Sequence, residues 1–434
     1  MVTAAVVPAA AAATIAWLLL ASHVGTAARL VLELLALAGW GAVMLAASRH
    51  TLSARPLWLA GALLIAAAVV VAPIGSRDIW AFVMQGRIVA VHHASPYLHR
   101  PSAFPHDSFL RLVAPGWRHS RSPYGPLFTA VSGVLSLVAG DSVLGNRMAF
   151  QALAGVALAG AAWGQQRRNN TLGVAFLLLN PMCIAIVNGG HSDLAVGALL
   201  AAAVHVARKR ERPLSAVIVG LLLAAAVLVK LPAAVAVVAI GVWVFRHRGR
   251  AAVATTGAVC AATVGAAYAA VGGRDALVPL LKGGTRISRV TIAGVLNHMV
   301  GPDTISAGSA ASAGAAITIV AVAVIALRGT RTGSASVAAT TSVVVLFVAA
   351  PYVLPWYVGM ALPLAADQPR RICAVTATVM AACLWLAYTD PPGSATGSLS
   401  NRLSWLPFIG LAVTGLAVAV VAIRSSRSGH RLPV

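Results

Sequence analysis

The residues best suited to chemistry lie in the stretch "IGSRDIWAFVMQGRIVAVHHASPYLHRP", residues 74–101, directly after an apolar run. Carboxylate, guanidinium and imidazole groups transfer protons or bind charged ligands, and this stretch contains all three. Its carboxylate, Asp78, is the scarcest group, because the chain has only ten acidic residues. Asp is also a preferred N-cap residue, so a purely structural role at the start of a helix is the alternative for Asp78.

Two further segments place charged residues in apolar surroundings. In "NPMCIAIVNGGHSD", His191 precedes Asp193 by two residues, and Asp193 opens an apolar run, where it could serve as an N-cap. In "VLVKLPAA", Lys230 interrupts an apolar run before a proline, where it could extend to the membrane surface or hold an anion. Tyr124 lies between two prolines in "SPYGPL", which predicts a rigid turn.

The segment "RDIWAFVMQGRIVA" predicts an amphipathic helix with Asp78 at or near its N-terminus. Apolar residues recur in it at helical spacing, with Gln85 and Arg87 between them. Such a helix lies in the plane of the membrane surface, with its apolar face in the lipid. The pattern therefore predicts that Asp78 lies at the outer membrane surface, a few residues past the end of a span.

The elements that must position these residues are apolar helices. The chain of 434 residues is 59% hydrophobic and 10% charged, whereas soluble globular proteins carry about 25% charged residues. Runs of roughly 20 apolar residues recur along the chain, and each is long enough to cross a bilayer. We therefore predict an all-α polytopic membrane protein, with a single transmembrane domain over residues 1–434.

Basic residues decide the predicted topology. The net charge of +22 could indicate nucleic-acid binding, but the basic residues fall in short clusters between spans, as in cytoplasmic loops. We therefore predict no nucleic-acid partner. Placing the clusters inside gives about fourteen spans, among them 353–366, with both termini cytoplasmic. The apolar segment 125–140 is not counted as a span, and we predict that it is re-entrant or lies along the outer surface; a fifteenth span is the alternative.

Apart from the basic clusters, most polar residues lie on one face of the membrane in this topology. They include a first large external loop, 75–123, and a second external loop, 272–310. A conducting pore would distribute polar residues along the depth of its spans. Polar residues gathered on one face instead indicate a site at the outer leaflet of a cell membrane.

Five segments occur in an order that resembles a known family. They are "RDIWAFVMQGRIVAVHHASPYLHRP", "VAPGWRHSRSPYGPLF", "NPMCIAIVNGGHSDLAVGALL", "VLVKLPA" and "LPWYVGMALPL". Together they resemble the polyprenol-phosphate-mannose-dependent α-1,6-mannosyltransferases of the bacterial cell envelope, which extend the lipomannan core. The resemblance covers most of residues 74–245 and the motif at 354–364. It implies a helical bundle like those of the GT-C class of multispan glycosyltransferases.

The resemblance implies that Asp78 is the general base of a sugar transfer. It would take a proton from an acceptor hydroxyl as that hydroxyl attacks the anomeric carbon opposite the lipid phosphate, so that a β-linked donor gives an α product. One carboxylate suffices, because the leaving phosphate needs no general acid, whereas glycoside hydrolysis uses two carboxyl groups. The scarcity of acidic residues agrees with this chemistry.

The leaving lipid phosphate gains negative charge and needs fixed cations or hydrogen-bond donors near it. Candidates for this role are Lys230, His191, Arg286 and Arg289. Further candidate substrate-binding residues are Arg77, Gln85, Arg87, Tyr124, Asp193, Trp356 and Tyr357. The aromatic pair of "PWY", Trp356 and Tyr357, could lie in the aromatic belt of the membrane interface or line the lipid groove.

The sequence has no Asp/Glu cluster of the kind that holds Mg²⁺, so we predict a metal-independent enzyme without a cofactor. Its predicted partners are a polyprenyl-phosphate sugar donor, a lipid-linked glycan acceptor and membrane lipid. Two alternatives stay open. The same chemistry could use another lipid-phosphate sugar or form an α-1,2 linkage, or the chain could be a lipid flippase or transporter.

Overall fold

The computed structural model describes residues 2–49, 52–209, 213–282, 286–301, 304–329, 334–389, 403–410 and 412. All regular structure within these ranges is helical, which confirms the predicted all-α class. The α-helices up to residue 209 are α1 Val2–Leu20, α2 Thr26–Arg49, α3 Ala54–Val70, α4 Asp78–Ala90, α5 Pro115–Arg118, α6 Pro126–Ala139, α7 Val143–Gln166, α8 Thr171–Leu178, α9 Pro181–Asn188 and α10 Asp193–Lys209.

The remaining α-helices are α11 Pro213–Val229, α12 Ala234–Ala270, α13 Arg274–Lys282, α14 Ile292–Val300, α15 Ala307–Gly329, α16 Ala335–Ala349, α17 Leu362–Ala365 and α18 Ile372–Leu386. Short 3₁₀ helices lie at Pro101–Ala103, Leu110–Leu112, Leu231–Ala233, Pro355–Met360 and Leu403–Trp405. Buried apolar side chains from α1 to α18 form one continuous core, which packs the two halves of the chain together.

Three helices among the described residues are long and apolar enough to cross a membrane, namely Thr26–Arg49, Leu231–Ala270 and Ala307–Ile325. The pair α8 and α9, bent by 48°, forms a fourth candidate, and six shorter apolar helices accompany them. The chain is therefore a helical membrane protein. The count of about fourteen spans, the single domain over 1–434 and the positions of the termini stay predictions.

The segment 353–366, which the sequence predicts as a span, is not one continuous helix. It forms the 3₁₀ helix Pro355–Met360 and then the one-turn helix α17. Proline has no N–H to donate, and its ring collides with the preceding turn, so Pro363 prevents the 3₁₀ helix from continuing into α17, whereas Pro355 is the first residue of that 3₁₀ helix. The bent segment packs beside α10 in the interior, where its side chains can line a site.

Helix α4 forms as predicted and begins at Asp78, but the predicted contact of its apolar face with lipid is wrong. Every residue from 78 to 88 except Trp80 is buried. Helices α6 and α7 pack against α4, and the loop that follows it supplies partners for its polar side chains. A helix with protein on all sides has no face left for lipid. The segment 125–140 forms α6, which shields α4.

The close approach of α4 and α6 depends on Gly86. A Cβ atom at Gly86 would lie 2.2 Å from the carbonyl oxygen of Ser132 and 2.5 Å from the hydroxyl of Ser136. Real Cβ atoms do not approach backbone so closely, so a larger residue would push the two helices apart. Ser136 also donates a hydrogen bond of 3.2 Å to the carbonyl of Val83, which fixes the relative position of the helices.

We expect Gly86→Ala to destabilise the protein by about 1–3 kcal/mol, the usual cost of overpacking an interface. By helix propensity alone, alanine would stabilise the helix by about 1 kcal/mol relative to glycine. A loss of stability therefore means that the steric clash outweighs helix propensity. Thermal unfolding in detergent measures this effect. The matched control is Gly133→Ala on α6, whose Cβ would meet Val89 at an ordinary 3.5 Å. Equal melting temperatures for the two variants would contradict the prediction.

Candidate active site

A cavity of about 790 Å³ opens where α4 begins, beside the loop before α6, the junction after α11 and the bent segment before α17. Its polar lining is formed by Asp78, Arg100, Trp117, His119, Ser120, Arg121, Tyr124, Lys230, Arg286, Tyr352, Trp356 and Tyr357. Its remaining wall is mostly apolar and comes largely from the second half of the chain. Six of the predicted site residues therefore meet in one cavity, although they come from distant parts of the sequence.

Asp78 is buried at the wall of this cavity, with 8% of its surface exposed. Its Oδ1 accepts a hydrogen bond of 2.8 Å from the indole N–H of Trp117, and its backbone N–H donates to the hydroxyl of Ser76. Arg77 occupies the N-cap position, so the N-cap alternative does not account for the Asp78 side chain. Burial raises the pKa of Asp78 from its ordinary 3.8 to about 6. A carboxylate with this pKa is ionised at neutral pH and able to accept a proton.

Lys230 and Asp193 form a buried ion pair, with 2.7 Å between the lysine Nζ and the carboxylate Oδ1. The same ammonium lies 3.6 Å from the centre of the Tyr357 ring, a cation–π contact. Lys230 therefore does not extend to the membrane surface. Asp193 begins α10, and the lysine follows α11, so the pair joins these two helix ends at the cavity wall that Lys230 lines.

His191 does not line the cavity but lies directly behind its wall. Its ring stacks on that of Trp356, with 4.1 Å between centroids and 7° between the planes. Burial, together with the nearby Lys230 charge, lowers the pKa of His191 well below its ordinary value. A neutral imidazole cannot act as a cation for a phosphate, so His191 instead positions Trp356. The cavity-lining position of Trp356 favours the lipid-groove interpretation over the aromatic belt.

Arg286 is exposed at the mouth of the cavity and contacts the loop before α6. Its Nη2 donates a hydrogen bond of 3.1 Å to the hydroxyl of Ser120, and its guanidinium lies 5.0 Å from the centre of the Trp117 ring. Arg100, His119 and Arg121 are also exposed in this part of the lining. The mouth thus carries several cationic or cation-forming groups that solvent and ligands can reach.

Arg77 and Arg289 lie outside the cavity lining. Arg77 donates a hydrogen bond of 2.9 Å to the carbonyl of Leu112, which anchors the loop that carries Trp117. Arg289 donates one of 2.9 Å to the carbonyl of Ala387 and lies over the Tyr388 ring. Both arginines therefore hold neighbouring segments in place through hydrogen bonds to backbone carbonyls.

Gln85 and Arg87 also lie outside the cavity lining. Gln85 follows Asp78 by seven residues, about 10 Å along the helix axis, and its Oε1 accepts from the hydroxyl of Ser122. Arg87 projects from the opposite side of α4, where it forms ion pairs of 2.9 Å with Asp107 and 2.8 Å with Asp141. Both side chains therefore bind polar partners within the protein and do not face the cavity.

Five lining residues are not among those that the sequence predicts for the site, namely Trp117, Tyr352, Arg100, His119 and Arg121. One signal was available for three of them, because "GWRHSR" is a basic cluster in a loop that the topology predicted to be external. Basic residues on that face cannot be explained as determinants of topology. Nothing local to Tyr352 or Arg100 distinguishes them, since their place in the lining depends on tertiary packing.

Within the part of the chain that the structure describes, no three His, Cys, Asp or Glu side chains cluster as metal ligands would. The metal independence of the protein stays a prediction. The side chains that line the cavity can accept a proton at Asp78, hold an anion at the mouth and contact an apolar chain along the wall.

Comparison with known proteins gives one family match. The family described as "Alpha-(1->6)-mannopyranosyltransferase, N-terminal domain" matches residues 1–246. This range contains α4, the loop that carries Trp117 and the Asp193–Lys230 pair. No solved structure matches the chain.

Three curated proteins are similar to part of the chain. Alpha-(1->6)-mannopyranosyltransferase A of Corynebacterium glutamicum is 28% identical over 41% of this chain and 36% of its own length. The protein of the same name from Mycobacterium tuberculosis is 29% identical over 39% of this chain and 34% of its own. Alpha-(1->6)-mannopyranosyltransferase B of Corynebacterium glutamicum is 30% identical over 31% and 24%. The aligned segments span about a third or less of these relatives.

Proposed function

Because the chain belongs to the alpha-(1->6)-mannopyranosyltransferase family, we propose that it transfers a mannosyl residue from polyprenyl-phosphate mannose to a growing lipid-linked mannan. The transfer inverts the anomeric configuration and takes place on the outer face of a cell membrane, in a bundle of GT-C type. The observation that carries the proposal is the buried carboxylate of Asp78 at the wall of a cavity with cations at its mouth.

Asp78 acts as the general base. An acceptor hydroxyl gives its proton to the carboxylate while its oxygen attacks the anomeric carbon of the donor mannose. The bond from that carbon to the lipid phosphate breaks on the opposite side, and the phosphate leaves with the electron pair. Proton transfer to a base of pKa about 6 is efficient near neutral pH, because the base is ionised yet still basic.

The leaving phosphate binds at the mouth of the cavity. Arg286 is the leading candidate for this contact, since its guanidinium is exposed there and suits phosphate oxygens. Arg100 and Arg121 are further candidates at the same mouth. Asp193 offsets the charge of Lys230 within the buried pair. Lys230 therefore acts on the cavity through its position and electrostatic field, and not as a free cation that binds phosphate.

The polyprenyl chain of the donor packs against the apolar wall. Val278, Pro279 and Ala315 come from α13 and α15, and Leu346 comes from α16. These helices flank the same cavity that contains Asp78, so a lipid tail on this wall would bring its phosphate-linked sugar toward the carboxylate. Apolar contact with the tail contributes affinity in proportion to the area removed from water.

The test is a transfer assay with the purified chain in nanodiscs, using polyprenyl phosphates that carry mannose, glucose or arabinose. Mannose is expected to be transferred to an α-1,6-linked mannan acceptor, with the donor consumed in equal amount. Linkage analysis of the product distinguishes α-1,6 from α-1,2 addition. Transfer of another sugar alone, or movement of labelled lipid across the membrane without transfer, would contradict the proposal.

The rate of transfer is expected to fall as the pH drops through about 6, by about tenfold for each further pH unit, because protonated Asp78 cannot act as a base. The charged and titratable groups that act on Asp78 are Lys230, which lowers its pKa, and Asp193, which raises it. Tyr124, Tyr352 and Tyr357 also face it, and burial raises the pKa of each, so these phenols stay neutral in this range. Measurement of kcat/KM in nanodiscs tests the prediction, and a constant value down to a pH of about 5 would contradict it.

A further inference from the structure

Trp117 contacts both the predicted base and the leading phosphate cation. The edge of its indole ring donates a hydrogen bond of 2.8 Å to Oδ1 of Asp78. The face of the same ring carries the Arg286 guanidinium, 5.0 Å from the ring centre. One side chain therefore joins two groups that lie 208 residues apart in the sequence.

We propose that Trp117 is a positioning residue for Asp78, which orients the carboxylate toward the acceptor hydroxyl and couples it to Arg286. The proposal rests on the proposed function, because it assigns Trp117 a part in the same site. Trp117 does not itself exchange a proton with the substrate.

The hydrogen bond from Trp117 holds the Asp78 carboxylate in one orientation. Oδ1 of Asp78 accepts from the indole, and a hydrogen bond with the Ser76 side chain also acts on the carboxylate. Since Asp78 lines the cavity, the carboxylate that Trp117 holds is within reach of an acceptor hydroxyl bound there. Holding a reacting group in one geometry is a substantial part of catalysis.

The same hydrogen bond stabilises the ionised form of the base. Burial is the largest influence on Asp78 and raises its pKa, and the Trp117 hydrogen bond is the largest influence that lowers it. Without this donor, the carboxylate would hold its proton at a higher pH. Trp117 thus keeps a buried carboxylate ionised near neutrality.

The loop around Trp117 is fastened independently of Asp78. Helix α5 is held by Arg118, whose Nε donates 2.9 Å to the carbonyl of Val113 and whose Nη2 donates 3.0 Å to that of Arg111. Arg77 anchors the same loop through the carbonyl of Leu112. These contacts remain when the indole N–H is removed, so the effect of its loss on Asp78 can be isolated.

The test compares Trp117→Phe with the native protein in nanodiscs. Phenylalanine keeps a ring face for Arg286 but has no N–H for Asp78. We expect kcat for mannosyl transfer to fall about tenfold at neutral pH, the effect of one hydrogen bond to a charged group. The acid limb of the kcat profile should move to higher pH, while KM for the donor changes little. Arg286→Ala should raise the donor KM and lower kcat, because the leaving phosphate loses a cation, but it should leave the acid limb nearly unchanged.

The matched control is Trp80→Phe, on the same helix as Asp78, where the ring packs against Phe109. A merely structural effect of losing an indole N–H would appear in both tryptophan variants, whereas a shifted acid limb is expected only for Trp117→Phe. An unchanged acid limb in Trp117→Phe would overturn the inference, and so would the same shift in Trp80→Phe.

A second measurement needs no tryptophan substitution and no turnover. In ¹⁵N-labelled native protein in detergent, the indole N–H resonance of Trp117 should titrate with a midpoint at about 6, reporting on Asp78. In Asp78→Asn this titration should disappear. If the native protein transfers no mannose, the proposed function fails, but the titration still decides whether Trp117 holds the carboxylate. A resonance insensitive to pH in the native protein would overturn the inference.

Discussion

Asp78→Asn is expected to reduce mannosyl transfer by about 10²–10⁴-fold, the range for removal of a general base. Asparagine has nearly the same shape and can still accept a hydrogen bond from Trp117, so the cavity is preserved. It cannot take a proton from the acceptor hydroxyl. Transfer measured in nanodiscs with saturating donor tests the prediction, and an Asn variant with native turnover would remove Asp78 as the base.

The loss of activity should not come from unfolding, because the pKa of Asp78 has a definite consequence for stability. Its displacement from 3.8 to about 6 corresponds to about 3 kcal/mol against the ionised form in the folded state. A carboxyl whose pKa is higher in the folded state than in the unfolded state makes the folded state less stable as the pH rises from 3.8 to about 6. Replacement by a neutral amide removes that cost, so Asp78→Asn should melt at the native temperature or above it.

Asp107→Asn is the contrasting control for stability. Burial alone would raise the pKa of Asp107, but the Phe109 backbone N–H, His92 and Arg87 outweigh it and hold the pKa below its ordinary value. Such a carboxylate stabilises the fold above its unfolded pKa, and this contribution is lost as the pH falls. Asp107→Asn should therefore lower the melting temperature at neutral pH. A lower melting temperature for Asp78→Asn as well would contradict the sign assigned to Asp78.

Lys230→Met is expected to destabilise the protein by about 3–5 kcal/mol, because it leaves the Asp193 carboxylate buried without its partner. The methionine side chain fills a similar volume beside Tyr357, so the loss comes from charge rather than from a void. Unfolding in detergent at neutral pH, followed by heat or denaturant, measures the effect. Arg111→Met, at an exposed site, is the matched control and should change stability by less than about 0.5 kcal/mol.

The double variant Lys230→Met with Asp193→Asn identifies the origin of that loss. Because it removes both charges, it should be more stable than Lys230→Met alone, although it contains one substitution more. The coupling energy between the two sites follows from the four-protein cycle. Strictly additive effects would show that the pair contributes no net interaction and would contradict the prediction.

The sequence predicted the helical class and part of the site from local information. Composition and the length of the apolar runs were sufficient for a helical membrane protein, because a bilayer requires its spans to satisfy their own backbone hydrogen bonds. Periodicity gave helix α4 and its beginning at Asp78. The scarcity of acidic residues singled out Asp78, because an acidic residue among apolar neighbours indicates a specific structural or functional role.

The same local information gave the wrong surroundings for α4. Gln85 and Arg87 are predicted to bind substrate on a helix at the membrane surface, yet they bind Ser122 and Asp107 within the protein. Periodicity records which residues share a face of a helix, but it does not record whether water, lipid or another polar side chain meets that face. Only the packing of the loop that follows α4 decided this.

The partners of the site residues were likewise decided by tertiary structure. Asp193 and Lys230 lie 37 residues apart, and Asp78 and Trp117 lie 39 apart, with no periodic relation between the members of either pair. The contact within each pair depends on where the start of α10, the end of α11 and the loop before α6 lie in space. The sequence by itself determined which groups could carry charge in an apolar protein. The tertiary structure alone decided which charges are neutralised in buried pairs and which remain at the cavity, because the energy of a buried charge depends on its distance to the next one.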